Sequence, residues 1–252
     1  MKPSPAASRN SWTGAVGRGM SAFRDLLVRR LGRLVSPNTL TVVGVMLSLA
    51  TGCVLARGQF RWGTLLLLVA SLFDVLDGAV ARTQNLGTRF GAFLDSSLDR
   101  LSDFFIFGGL LGYYYVTRNP LDLVVTLAAL SSAMLVSYTQ ARAECLIPSC
   151  KVGFGERPER IGILAFGGLF GAAGVEMAVW LIAVLATLTW LHRCWYTWRQ
   201  LEGRGSQARR PRGPLTLVFW DLPRATPGYD AVIALLALAI VLYVASCHVH
   251  TT

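Results

Sequence analysis

Four carboxylates, Asp74, Asp77, Asp95 and Asp99, sit in or beside two long apolar segments. An ionised carboxylate at membrane depth is costly unless partnered, so such groups point to a functional site. Their spacing says how they are grouped. Asp74 and Asp77 are three residues apart and Asp95 and Asp99 four apart, so each pair shares one face of a helix. Between the pairs lies a polar break, Thr83-Gln-Asn-Leu-Gly-Thr-Arg89. A turn there sends the second helix back antiparallel to the first and lets all four carboxylates converge. Four like charges stay ionised together only with cations among them. Hard divalent ions with oxygen ligands, Mg²⁺ or Mn²⁺, suit such a set. Two such ions about 3.5–4 Å apart stabilise both the attacking and the leaving oxygen of a phosphoryl displacement. Gly78 admits a diphosphate close to the backbone, and Arg82 offers a planar fork for phosphate oxygens.

The elements that must position these groups are membrane helices. The chain has 252 residues, of which 53% are hydrophobic and 15% charged, against about 25% charged in a typical soluble domain. Apolar runs that approach the roughly 20 residues needed to cross a bilayer predict spans at about 40–57, 62–83, 90–116, 121–143, 159–175, 177–198 and 229–247. An all-α polytopic membrane bundle follows. The net charge of +10 does not point to nucleic acid, because the basic residues lie in loops between spans rather than in a patch interleaved with aromatics. They read instead as topology signals and contacts to anionic lipid. Arg57, Arg61 and Arg118 fall on one side of the membrane, and nearly all the others on the opposite side, with the carboxylates. That side is expected to be cytoplasmic.

Residues 1–11 read as a disordered tail. Over 12–35, Met20, Phe23, Leu27, Leu31 and Leu34 recur at helical spacing with Arg24, Arg29, Arg30 and Arg33 opposite, the pattern of a basic amphipathic helix lying on a membrane surface. Residues 201–228, rich in Arg, Gly and Pro, read as a basic cytoplasmic loop, and 229–252 as an extra C-terminal segment. Gly167 and Gly171 form a G-x-x-x-G, suited either to a homodimer seam or to close packing inside one bundle. The five cysteines are scattered, without a C-x-x-C, and read as inert.

The pattern D-x2-D-G-x2-A-R-x8-G-x3-D-x3-D, present as Asp74, Asp77, Gly78, Ala81, Arg82, Gly91, Asp95 and Asp99, resembles the signature of the CDP-alcohol phosphatidyltransferases. The resemblance implies a six-helix membrane core over 36–200, preceded by the amphipathic helix, with the seventh span lying beyond it. It implies that Asp74, Asp77 and Asp95 are metal ligands, and that Asp99 is the general base and also touches the second metal. Asn38 and Thr41 match the family's P-N-x-x-T entry to the first span, near the nucleotide, although Ser36, Pro37 and Asn38 also suit simple helix capping. Thr88 matches a position that contacts the nucleotide-lipid. The implied reaction is attack of an alcohol on the lipid-side phosphorus of CDP-diacylglycerol, with CMP leaving.

For the acceptor, Ser137-Tyr-Thr-Gln-Ala-Arg-Ala-Glu144 and Glu156-Arg-Pro-Glu-Arg160 are similar to the subgroup that transfers to inositol phosphate. Arg142, Arg157, Arg160 and Arg193 would then hold the acceptor phosphate. Gln140 departs from the subgroup, which carries Lys or Arg there. Glycerol-3-phosphate is therefore the runner-up acceptor. A Mg²⁺ transporter is the competing class, and it leaves Arg82 beside a cation path unexplained.

Overall fold

The computed structural model describes residues 37–83, 88–202 and 227–250; the side chains of residues 37–38, 81–83, 227–230 and 248–250 are outside the description. The expected tail over 1–11, the amphipathic helix over 12–35, most of the basic loop over 201–228, and the side chains of Asn38 and Arg82 thus lie outside the described residues.

Every described regular element is a helix: α1 (Pro37–Ala56), α2 (Phe60–Thr83), α3 (Arg89–Val116), α4 (Pro120–Ala143), α5 (Arg157–Leu169), α6 (Ala172–Leu201) and α7 (Pro227–His250). Local chemistry sets their ends. The Thr88 hydroxyl accepts the Gly91 N–H at 2.9 Å and caps α3. Asn119 caps α4, with Pro120 in the first turn. Between α5 and α6 the chain reverses at Gly171, whose φ of 79° suits a residue without Cβ. The predicted span at 159–175 is therefore broken: α5 stops at Leu169, and α6 starts at Ala172.

Four of the helices, α1, α2, α4 and α6, are long and apolar enough to cross a membrane. They turn large apolar side chains outward, among them Val42, Trp62, Leu65 and Leu127, as a lipid-facing bundle must. Two of the other predicted spans fall short of that measure: the N-terminal part of α3 carries Arg89, Asp95, Asp99, Arg100 and Asp103, and α5 has 13 residues. In α7 the described side chains cover the apolar stretch Ala231–Cys247.

Consecutive core helices alternate in direction. The Phe60 ring at the start of α2 stacks edge-on to Tyr113 near the end of α3, with centroids 4.8 Å apart. The two motif helices are thus antiparallel, as their spacing predicts. α1 packs along both of them and makes close backbone contact with α3 through glycine. A Cβ on Gly52 would collide with the Phe105 carbonyl, and one on Gly109 with the Gly52 carbonyl. α4 and α6 run parallel, joined by Trp180 Nε1 donating to Asp122 at 2.9 Å and by Arg193 donating to the Val136 carbonyl at 2.7 Å. α5 packs against α2 and α6. Gly167 faces the Gly174 backbone and Gly168 faces Thr64, so these small residues are used inside one bundle. The shared end of the six core helices gathers the C-terminus of α2 and the N-termini of α3 and α5, where the motif residues lie.

The glycine contact between α1 and α3 gives a test. Gly109→Ala is expected to destabilise the protein by about 1–3 kcal/mol, the usual cost of overpacking, seen as a lower melting temperature in detergent. Gly108→Ala is the control, because a Cβ there meets nothing within 4 Å; equal melting of the two variants would contradict the contact.

Candidate metal and substrate site

α2 presents Asp74 and Asp77, and α3 presents Asp95 and Asp99. Asp74, Asp95 and Asp99 each bring one carboxylate oxygen to a point where all lie within 4.8 Å of one another. Asp77 stands beside them, buried at 3% exposure. Its Oδ1 accepts the Gly78 N–H at 2.5 Å, and the Thr41 hydroxyl bonds to its carboxylate. Its Oδ2 is buried without a hydrogen-bond partner. A buried carboxylate oxygen left over next to three clustered ones favours a positive charge beside it. The donor set is all oxygen and all anionic, and it fits a hard divalent cation.

A protein cation already reaches into this cluster. Arg157 Nη1, from the first turn of α5, donates to Asp74 Oδ2 at 2.6 Å and to Asp99 Oδ1. Its Nε lies 3.6 Å from Asp103 Oδ1. Arg160, one turn on, donates to Asp103 Oδ2 and to the Gly155 carbonyl, each at 2.6 Å. Asp103 is a residue the motif reading missed. It continues the Asp95–Asp99 face by one more turn and holds both arginines of α5 in place. The i, i+4, i+8 spacing on α3 was the available signal.

Beside Asp99 opens a cavity of about 300 Å³. Its walls carry cations from Arg100, Arg157 and Arg160, and neutral polar groups from Ser96, Ser137 and Gln140; Glu144 and Asp103 complete the polar lining. Gln140 Nε2 donates to Glu144 Oε1 at 3.2 Å, which ties two of these wall residues together. Arg100 was not singled out in the sequence, because it is one basic residue among many at this end.

Of the four arginines expected at the acceptor, Arg157 and Arg160 line this cavity, while Arg142 and Arg193 do not. Arg142 is exposed in the last turn of α4, where a cation complements the helix dipole. Arg193 is fully buried and donates to the Val152 carbonyl at 3.0 Å, the Val136 carbonyl at 2.7 Å and Glu156 Oε1 at 2.9 Å. It ties α6 and α4 to the segment that leads into α5, and so fixes where Arg157 begins. Thr88 caps α3, and Thr41 supports Asp77. Gly78 directly follows Asp77 in α2.

The arrangement offers a divalent cation site against a cavity with cations and hydroxyls. That combination suits transfer of a phosphate-linked group to a polar alcohol. Comparison with known proteins agrees. A family model described as CDP-alcohol phosphatidyltransferase matches residues 34–199. The archaetidylinositol phosphate synthase of Methanothermobacter thermautotrophicus is 39% identical over 192 residues, 73% of this chain and 96% of that protein. The phosphatidylinositol phosphate synthase of Streptomyces avermitilis is 38% identical over 189 residues, 70% of this chain and 76% of that protein. The crystal structure of the Mycobacterium tuberculosis phosphatidylinositol phosphate synthase with CDP-DAG bound superposes with a TM-score of 0.64 at 33% identity, covering 69% of this chain and 93% of that one. The same enzyme in complex with manganese and citrate gives a TM-score of 0.65 at 31% identity, covering 79% and 100%. The motif, the helical bundle and these likenesses agree: the chain is an integral membrane protein of the CDP-alcohol phosphatidyltransferase family.

Proposed function

We propose that this enzyme transfers the phosphatidyl group of CDP-diacylglycerol to inositol phosphate, releasing CMP, on the cytoplasmic side of a prokaryotic plasma membrane. The observation that carries the acceptor is the cavity beside Asp99, whose walls combine Arg157 and Arg160 with the hydroxyls of Ser96 and Ser137 and the amide of Gln140. A phosphorylated polyol needs cations for its phosphate and neutral polar groups for its hydroxyls. The relatives named as inositol phosphate synthases support the same acceptor. The excess of Lys and Arg at the site end supports the cytoplasmic orientation.

Asp74, Asp77, Asp95 and Asp99 would hold two ions, Mg²⁺ or Mn²⁺, and such ions neutralise diphosphate charge and stabilise the leaving phosphate. Asn38, Thr41, Gly78, Arg82 and Thr88 border the nucleotide-lipid. Arg157 and Arg160 bind the acceptor phosphate, with Asp103 setting their direction. Asp99 takes the proton from the acceptor hydroxyl as that oxygen bonds to the lipid-side phosphorus. The bond from this phosphorus to the CMP phosphate breaks, and CMP carries away the electron pair. Arg193 works at one remove, through the turn before α5.

Glycerol-3-phosphate is kept as the second acceptor on one observation: Gln140, a neutral residue, stands in the cavity wall. Competition decides between them. With both alcohols at equal concentration and CDP-diacylglycerol in excess, the expected product is chiefly the inositol phosphate lipid, read by mass. A product that is chiefly phosphatidylglycerophosphate would overturn the acceptor assignment and leave the reaction class standing.

A further inference from the structure

The cavity beside Asp99 has three helical walls, with Arg100 on α3, Gln140 and Glu144 on α4, and Arg157 and Arg160 on α5. Its three cations are not equivalent. Arg157 is already engaged by Asp74 and Asp99, and its Nε lies 3.6 Å from Asp103 Oδ1. Arg160 is engaged by Asp103 and by the Gly155 carbonyl. An anion that enters must share both of them with carboxylates. Arg100 stands differently. Its Nη1 donates to the Ser96 carbonyl of its own helix, and it forms no ion pair with a described carboxylate. A guanidinium carries five N–H donors in a fixed fork, so most of those on Arg100 are left for a ligand.

The α4 wall has the opposite bias. Gln140 is neutral, and its amide donates to Glu144 Oε1 at 3.2 Å. The pair offers an amide and a carboxylate, which bond to hydroxyls, and its net charge is negative. The phosphate of an acceptor therefore gains least at α4 and most at α3, where no carboxylate partner cancels the charge of Arg100. Arg100 also adjoins Asp99 in α3, and both line the cavity. A phosphate held by Arg100 keeps the hydroxyls of the same molecule in the space that Asp99 borders.

We propose that Arg100 is a specificity-determining residue: its guanidinium anchors the phosphate of the acceptor, and the acceptor hydroxyls turn toward Gln140 and Glu144. This rests on the transfer reaction proposed above. The test uses the full-length purified protein with CDP-diacylglycerol and Mg²⁺, and titrates inositol phosphate and, in parallel, glycerol-3-phosphate. A bond to the phosphate that is made equally before and during the reaction sets KM rather than kcat. Arg100→Gln is expected to raise the acceptor KM about tenfold or more, the usual effect of losing one charge-assisted bond. The KM for CDP-diacylglycerol should not change, and kcat should stay within a few-fold of wild type, which also shows that the variant folds. Arg100→Lys should recover part of the acceptor KM. Adding Gln140→Lys to Arg100→Gln returns a cation to the cavity from the α4 wall and should lower the raised KM again, a rescue that a merely structural role for Arg100 would not give. An unchanged acceptor KM in Arg100→Gln, an equal rise in the donor KM, or no rescue by either lysine would overturn the anchor while the reaction itself stands. If the wild type prefers glycerol-3-phosphate, the same rise in KM on that acceptor keeps the anchor and removes only the inositol assignment. Failure of the wild type to release CMP with either acceptor would instead remove the reaction, and the anchor with it.

Discussion

Asp95→Asn is expected to abolish CMP release while the protein still inserts, purifies and melts like wild type. Asparagine keeps the shape of the side chain and removes one charge from the group formed by Asp74, Asp95 and Asp99. A bundle held by apolar contacts such as Leu67, Leu110, Val179 and Ile182 does not depend on that charge. A divalent ion does, because its affinity follows the number and charge of its oxygen ligands. Metal-ion catalysis supplies several kcal/mol of charge stabilisation, so the loss in rate should reach about 10³-fold or more. Asp95 is a cleaner choice than Asp74, because Asp74 also binds Arg157 at 2.6 Å and its replacement would disturb α5 as well. Mn²⁺ binding followed by electron paramagnetic resonance should weaken in parallel. CMP release at the wild-type rate would end the assignment of Asp95 as a metal ligand.

Asp99→Asn separates catalysis from binding. Asp99 is one turn deeper along α3 than Asp95, at the junction between the carboxylate cluster and the 300 Å³ cavity. It is thus the carboxylate best placed toward an acceptor hydroxyl. Asparagine cannot accept a proton. If Asp99 is the base, CDP-lipid should still bind in the presence of Mg²⁺ while turnover falls by roughly 10²–10⁴, the usual contribution of a positioned base. If Asp99 is chiefly a ligand, nucleotide-lipid binding should weaken, and added Mg²⁺ should restore part of the turnover. Normal binding with turnover within a few-fold of wild type would remove the base role.

The motif helices were legible in the sequence because their signals are local. Spacing of three and four groups each pair of aspartates on one face, and a polar break between apolar runs implies the reversal that brings the pairs together. The remaining parts depend on which helix meets which, and local spacing does not carry that. The span predicted over 159–175 ignores the break at Gly171, because glycine is common in membrane helices and gives no sign of its φ. Arg157, Arg160 and Arg193 carry the same charge and all sit near the site end, yet two line the cavity and the third is buried on backbone carbonyls. The partners that decide this, Asp103 and the Val136 and Val152 carbonyls, lie 41 to 57 residues away in sequence. The close seat of α1 on α3 depends on two glycines, Gly52 and Gly109, each unremarkable in its own apolar run.

The proposed reaction is a divalent-dependent transfer from a CDP-lipid to inositol phosphate. The deciding measurement incubates purified protein with CDP-diacylglycerol and inositol phosphate, and follows CMP and lipid product together by mass. One CMP per molecule of phosphatidylinositol phosphate is expected, with both lost on chelation and both restored by Mg²⁺ or Mn²⁺. CMP and lipid product formed at the same rate in the presence of chelator, or no CMP with the divalent ion present, would contradict it.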